Sequence, residues 1–156
     1  DLVRDHHIGI TLSMQTPHTL PVHLFIPSWS KQAGIFINGK QVGTGEGGSF
    51  FTLNRQWNDS DRIEICFDFS FRIEHMPDDE QTIAIFYGPM LLAFQSPDEI
   101  WLKSSSSDIV SGLKVTDVQN LIFSLNDYGT TYQLRPLFAI TDESYSVYVR
   151  TDRLSD

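Results

Sequence analysis

The stretch Ile63-Glu64-Ile65-Cys66-Phe67-Asp68-Phe69 decides the fold. Its large apolar side chains fall on every second residue. Successive side chains of an extended chain point to opposite sides, so this is a strand that puts Ile63, Ile65, Phe67 and Phe69 on a core. Cys66 lies in the other phase and is expected on the second face, under another element. Tyr145, Val147 and Val149 alternate in the same way with Ser144, Ser146, Tyr148 and Arg150. Working outward, short β-rich runs cover residues 8–14, 22–26, 35–37, 49–53, 82–86, 90–94, 100–103, 121–125 and 131–134. That recurrence is close to the roughly 8–12 residue spacing of sandwiches and barrels. No stretch sustains a capped helical stripe.

Turn chemistry agrees with the strands. Asn38-Gly39, between the apolar Ile35–Ile37 and Lys40–Val42, predicts a two-residue hairpin, because a type I′ turn needs positive φ at both central positions. Gly43, Gly45, Gly47 and Gly48 read as a flexible loop, and residues 58–61, 77–80 and 104–108 read as polar turns. Gly88 is expected to permit a bulge or a close backbone approach. Strands that follow strands without helices imply antiparallel pairing. The predicted fold class is all-β, an antiparallel sandwich of jelly-roll type with little or no helix. Residues 1–156 are taken as one compact β-sandwich region, with a seam near 76–81 as the alternative that would divide a middle from a C-terminal β module. Residues 103–120 are more polar and Ser-rich than those before them.

The 156 residues carry 20 acidic and 11 basic side chains, for a net charge of −9. Nucleic-acid affinity depends on Lys and Arg neutralising phosphates, so no nucleic-acid partner is expected. The apolar runs at 83–87 and 90–94 are far shorter than the roughly 20 residues a membrane helix needs. No membrane partner is expected either. Cys66, the single cysteine, cannot form an internal disulfide and leaves the compartment unread. The sequence opens at Asp1 without an initiator Met or a leader pattern, so the expectation is a piece of a longer protein.

Glu74, Asp78, Asp79 and Glu80 cluster in sequence, and facing carboxylates can cleave a glycosidic bond, but nothing here buries one acid to raise its pKa while the other stays ionised. A solvated turn accounts for them. His6, His7, His18, His23 and His75 lack the paired spacing of a zinc site, and Asp59 and Asp61 lack a twelve-residue calcium loop. No catalytic residue, metal site or cofactor is therefore assigned. The glycines at 43–48 fail as a phosphate loop, since no Lys-Ser/Thr pair and no helix follow. Trp29, Trp57 and Trp101 are the candidate carbohydrate-binding residues, because apolar sugar faces stack on exposed rings; each could instead close a core.

A family likeness rests on ordered motifs. Leu24-Phe25-Ile26-Pro27-Ser28-Trp29-Ser30 comes first, then Ile37-Asn38-Gly39-Lys40, Ser49-Phe50-Phe51-Thr52-Leu53-Asn54-Arg55-Gln56-Trp57 and Ser60-Asp61-Arg62-Ile63-Glu64-Ile65. Ile83-Ala84-Ile85-Phe86-Tyr87-Gly88-Pro89-Met90-Leu91-Leu92-Ala93, Leu134-Arg135-Pro136-Leu137-Phe138 and Tyr145-Ser146-Val147-Tyr148 follow. Together these resemble the C-terminal β-sandwich region of β-L-arabinofuranosidase-like proteins of glycoside hydrolase family 127. Phe25 stands where the family often has Arg, and Ser60 where it usually has Gly. The resemblance implies a parent glycoside hydrolase whose (α/α)6 barrel carries the nucleophilic cysteine, the zinc and the acid/base glutamate. None of those positions has a counterpart here, and Cys66 is not that nucleophile. The expected partners are the catalytic barrel of the parent chain, carbohydrate as an alternative, and a homodimer contact of the parent. A carbohydrate-binding module and an immunoglobulin-like scaffold domain are the competing readings.

Overall fold

A computed structural model describes residues 2–151. The chain divides into two compact units, Asp1–Ser70 and Phe71–Asp156. Residues 77–78, inside the acidic stretch given as an alternative seam, form a hairpin turn within the second unit.

The first unit runs α1 (Leu2–Asp5), β1 (His7–Thr11), β2 (His18–Ile26), β3 (Gln32–Ile37), β4 (Lys40–Glu46), β5 (Ser49–Trp57) and β6 (Arg62–Phe67). A four-stranded antiparallel sheet has the order β1-β6-β3-β4, and β2 pairs β5 in a separate antiparallel ribbon. Leu24, Ile26, Leu53 and Trp57 of the ribbon pack with Ala33, Ile35, Ile37, Ile63, Ile65 and Phe67 of the sheet in one buried cluster. Both layers alternate, so each buries one face and leaves the other outward. The predicted hairpin forms as read: Asn38 and Gly39 take φ of 50° and 78° between β3 and β4.

Gly43 and Gly45 depart from the expected loop, because both lie inside β4. A Cβ on Gly45 would sit 2.8 Å from Ile26 Cγ1, so this strand passes too close to the ribbon for a side chain. Only Gly47 and Gly48 make the turn into β5. Cys66 is also a correction: it is exposed, with no element over it, because the ribbon covers only the other face of the sheet.

The second unit runs β7 (Phe71–Met76), β8 (Asp79–Tyr87), β9 (Met90–Phe94), β10 (Trp101–Leu102), α2 (Ser106–Gly112), β11 (Leu113–Asp117), β12 (Ile122–Asp127), β13 (Thr130–Pro136), a 3₁₀ turn (Leu137–Ala139) and β14 (Tyr148–Thr151). One sheet follows the order β10-β14-β8-β9-β13-β12-β11, with β7 also pairing β8. Its neighbours are antiparallel except β10 and β14, which pair in parallel. Ile83, Ile85, Leu92, Phe94, Phe123 and Leu125 are buried, and Phe71, Tyr87 and Phe123 form a ring cluster.

The polar turn expected at 104–108 instead starts a helix. Ser105 caps α2, its hydroxyl oxygen accepting from Asp108 N, and α2 buries a single apolar residue, Ile109. A helix with one anchoring residue shows no apolar stripe, so its periodicity was invisible. Gly88 is likewise a turn residue rather than a bulge: it has φ 54° in the Gly88-Pro89 link between β8 and β9. Among the described residues no helix is long and apolar enough to cross a membrane.

Candidate functional site

The outward face of the four-stranded sheet carries the candidate site. Register places Cys66 beside His7 on one side and Gly34 on the other, with Thr44 beyond Gly34. The next row sets Glu64 beside Phe36, with Gln41 beyond. Every one of these lies in the phase opposite the buried residues. Gly34 lacks a side chain at the centre of this face, and a Cβ there would meet the Phe36 ring at 3.0 Å. The Phe36 ring packs into the space this leaves, and Gly34 also lines an open depression of about 330 Å³ with Gln32, Gln41, Thr44, Cys66 and Asp68. A second hollow of about 210 Å³ adjoins it at Cys66 and is lined by His7, Phe36, Gly39 and Glu64.

Polar order around this face is fixed from its edge. Asn38 Nδ2 donates to Asp61 Oδ1 at 2.8 Å, and Asn58 N donates to Asp61 Oδ2 at 2.9 Å. These bonds, the Asn38 contact above all, hold the Asp61 carboxyl below the ordinary aspartate value. Asp61 therefore accepts from the turn and ties the β3–β4 hairpin to the start of β6. Arg62 Nη2 lies 3.0 Å from Glu64 Oε1 and covers Gly9.

The three tryptophans are not brought together on one exposed face. Trp57 is fully buried in the first unit and donates its indole N–H to Leu20 O at 3.0 Å. Trp29 is half-buried against Phe67 and Phe69, with ring centroids 5.1 and 5.2 Å away. Trp101 belongs to the second unit and is 44% exposed, with the Arg150 guanidinium 5.0 Å from its ring centre. The depression on the sheet was missed from sequence, because its centre is a glycine and only strand register reveals it; the polar phase of 62–68 was the available signal.

The acidic turn is occupied by structural bonds. Asp79 accepts from Thr82 Oγ1 at 2.7 Å, Gln81 N at 3.1 Å and Arg150 Nη2 at 3.0 Å, which lowers its pKa, the Thr82 bond most. His75 bonds Glu80 O and Ser106 Oγ, and His23 bonds Thr52 Oγ1. His6 stacks on Phe69 at 4.0 Å, and burial lowers its pKa. Among the described residues, no three His, Cys, Asp or Glu side chains are grouped to hold a metal ion.

Fold and surface define a two-unit, all-β protein built almost entirely of antiparallel strands, and its likeness lies with glycoside hydrolases. Residues 1–69 match the family described as "Beta-L-arabinofuranosidase, GH127 middle domain". A solved glycoside hydrolase superposes with a TM-score of 0.68 at 14% identity, over 96% of this chain and 31% of that one. A GH127 β-L-arabinofuranosidase from Geobacillus stearothermophilus T6 gives 0.69 at 16% identity, over 96% and 29%. Another GH127 β-arabinofuranosidase gives 0.65 at 18% identity, over 96% and 31%. The chain thus spans under a third of the length of these structures. No curated protein matches it. The expected likeness to GH127 proteins is thus found, and over residues 1–69 it is to their middle domain, not clearly to a C-terminal region.

Proposed function

We propose that this chain is a non-catalytic accessory region of a GH127-type glycoside hydrolase, and that it packs against a catalytic (α/α)6 barrel carried by its parent. The supporting observation is an uncovered strip of core face. Ile8 and Ile10 pair with Ile65 and Ile63 in register and share their inward phase, yet each is 38% exposed. A two-stranded ribbon is too narrow to cover a four-stranded sheet, and the strip it leaves supports a contact with a further part of the parent. The Phe25–Phe50 pair, on the outward side of the ribbon with centroids 5.1 Å apart, supplies a second patch suited to a homodimer contact of the parent.

In this role the chain holds geometry and contributes no acid, base or nucleophile. The test is to incubate the purified chain with a chromogenic β-L-arabinofuranoside. No turnover is expected, and release of the chromophore by this chain would overturn the reading. Sequencing the coding region upstream of Asp1 is an independent check: paired amphipathic helices are expected, and an unrelated module there would contradict the barrel partner.

A further inference from the structure

We infer that the outward face of β1-β6-β3-β4 is a weak binding site for a short neutral oligosaccharide, with one sugar ring seated over Gly34. The chemistry of the walls selects this class. Gln32 and Gln41 each present an amide that both donates and accepts, Thr44 presents a hydroxyl, and Asp68 presents an acceptor at the rim. That mixture suits vicinal hydroxyl groups, which need both roles within a few ångströms. Among the described residues no Lys or Arg lines either hollow, the nearby Arg62 is already paired with Glu64, and the chain carries a net charge of −9, so these walls do not favour a phosphate or carboxylate ligand.

Shape leads to the same class. A volume of about 330 Å³ lies at the small end of ligand clefts, which run roughly 300–1,000 Å³. The adjoining hollow extends the track across Cys66 toward Phe36 and Glu64. Phe36 supplies an aromatic surface beside the glycine gap, as the apolar face of a sugar requires. The choice of an arabinofuranosyl ligand rests on the accessory reading above, whereas the site itself rests only on register, volume and side-chain chemistry. One aromatic ring and an open face imply millimolar affinity.

Cys66 makes the test direct, because it is the single cysteine, is exposed and borders both hollows. The rate of its modification by a thiol reagent is measured with increasing arabinofuranosyl disaccharide, and with maltose as comparator. Saturable slowing of at least threefold by the disaccharide alone is expected. Gln41→Ala and Asp68→Asn should each abolish the protection, read as the ratio of each variant's rates with and without disaccharide, and Phe50→Ser, on the ribbon, should keep both the protection and the sugar-free rate. Equal rates with and without disaccharide, equal slowing by maltose, or protection that survives in both Gln41→Ala and Asp68→Asn would overturn the inference. Circular dichroism confirms that each variant is folded. A failure here leaves the accessory reading standing, because that reading falls only on turnover or on the upstream coding sequence.

Discussion

The two units bury their strands in different ways. In the first, β3 and β6 alternate strictly, with Ala33, Ile35 and Ile37 and then Ile63, Ile65 and Phe67 inside and every intervening residue at least partly open. In the second, Ile83, Ala84 and Ile85 are consecutive buried residues of β8, as are Leu92, Ala93 and Phe94 of β9. Alternation means a sheet with one free face, whereas a continuous buried run means cover on both sides. The first unit therefore leaves one sheet face open, and the second buries its central strands on both faces.

Removing the ring that joins the layers of the first unit should have the largest effect. Trp57→Ala is expected to cost about 3–5 kcal/mol, read from urea unfolding, because it empties a core site and leaves Leu20 O without its indole donor. A loss below about 1 kcal/mol would mean that ribbon and sheet are not held by this core.

Next comes a buried aspartate in the second unit. Asp127 is 2% exposed and accepts from Lys103 N at 2.9 Å, Ser104 N at 3.0 Å and the Ser104 hydroxyl. It fastens the approach to α2 as Asp61 fastens the hairpin of the first unit. Asp127→Ala should cost about 3 kcal/mol, since it strands buried donors. Asp127→Asn should recover part of that loss, because the amide oxygen still accepts.

The pattern of burial also explains what could be read from sequence. Strict alternation exposed β6, and Asn38-Gly39 exposed the β3–β4 hairpin. By contrast, β7 (Phe71–Met76) shows no buried alternation, and β11 (Leu113–Asp117) buries only Leu113. Both alternate in sequence, Phe71 and Ile73 against Arg72 and Glu74, and Leu113 and Val115 against Lys114 and Thr116, but each run holds only two apolar residues in phase, too short a pattern to mark a strand by itself. The candidate site was partly legible, as the polar phase of Glu64, Cys66 and Asp68. Its floor depends on the cross-strand neighbours of Gly34, which no local pattern encodes.

Mild acid should weaken the first unit through His6. The folded first unit holds His6 below the free-imidazole value of 6.5, through burial that Asp5 only partly offsets. A lowered pKa contributes stability that is full above that value and is lost as pH falls through the folded pKa. Urea unfolding is therefore expected to show less stability at pH 5 than at pH 7.5, and His6→Asn should flatten the difference. Asp61 adds a second loss below the ordinary aspartate pKa, with the same sign. An unchanged pH profile in His6→Asn would assign the acid response elsewhere.

The smallest effect concerns Ser60, which sits at φ 65° where the family usually has glycine. A side chain in the left-handed region costs roughly 1–2 kcal/mol, offset in part by the extra freedom that glycine has when unfolded. Ser60→Gly should raise stability by about 0.5–1 kcal/mol, measurable as a shift in the urea midpoint. Destabilisation instead would show that the Ser60 hydroxyl bond to Asp59 Oδ2 outweighs the strain.

The most direct test of the account, that this is a sugar-facing but non-catalytic β region, is one heteronuclear NMR titration of the chain with an arabinofuranosyl disaccharide. The account predicts saturable shifts of the Gly34, Gln41, Thr44 and Cys66 amides, none at Ile83, Ile85 or Leu92 in the second unit, and no free monosaccharide signal. Appearance of monosaccharide, or shifts that avoid the four-stranded sheet, would contradict it.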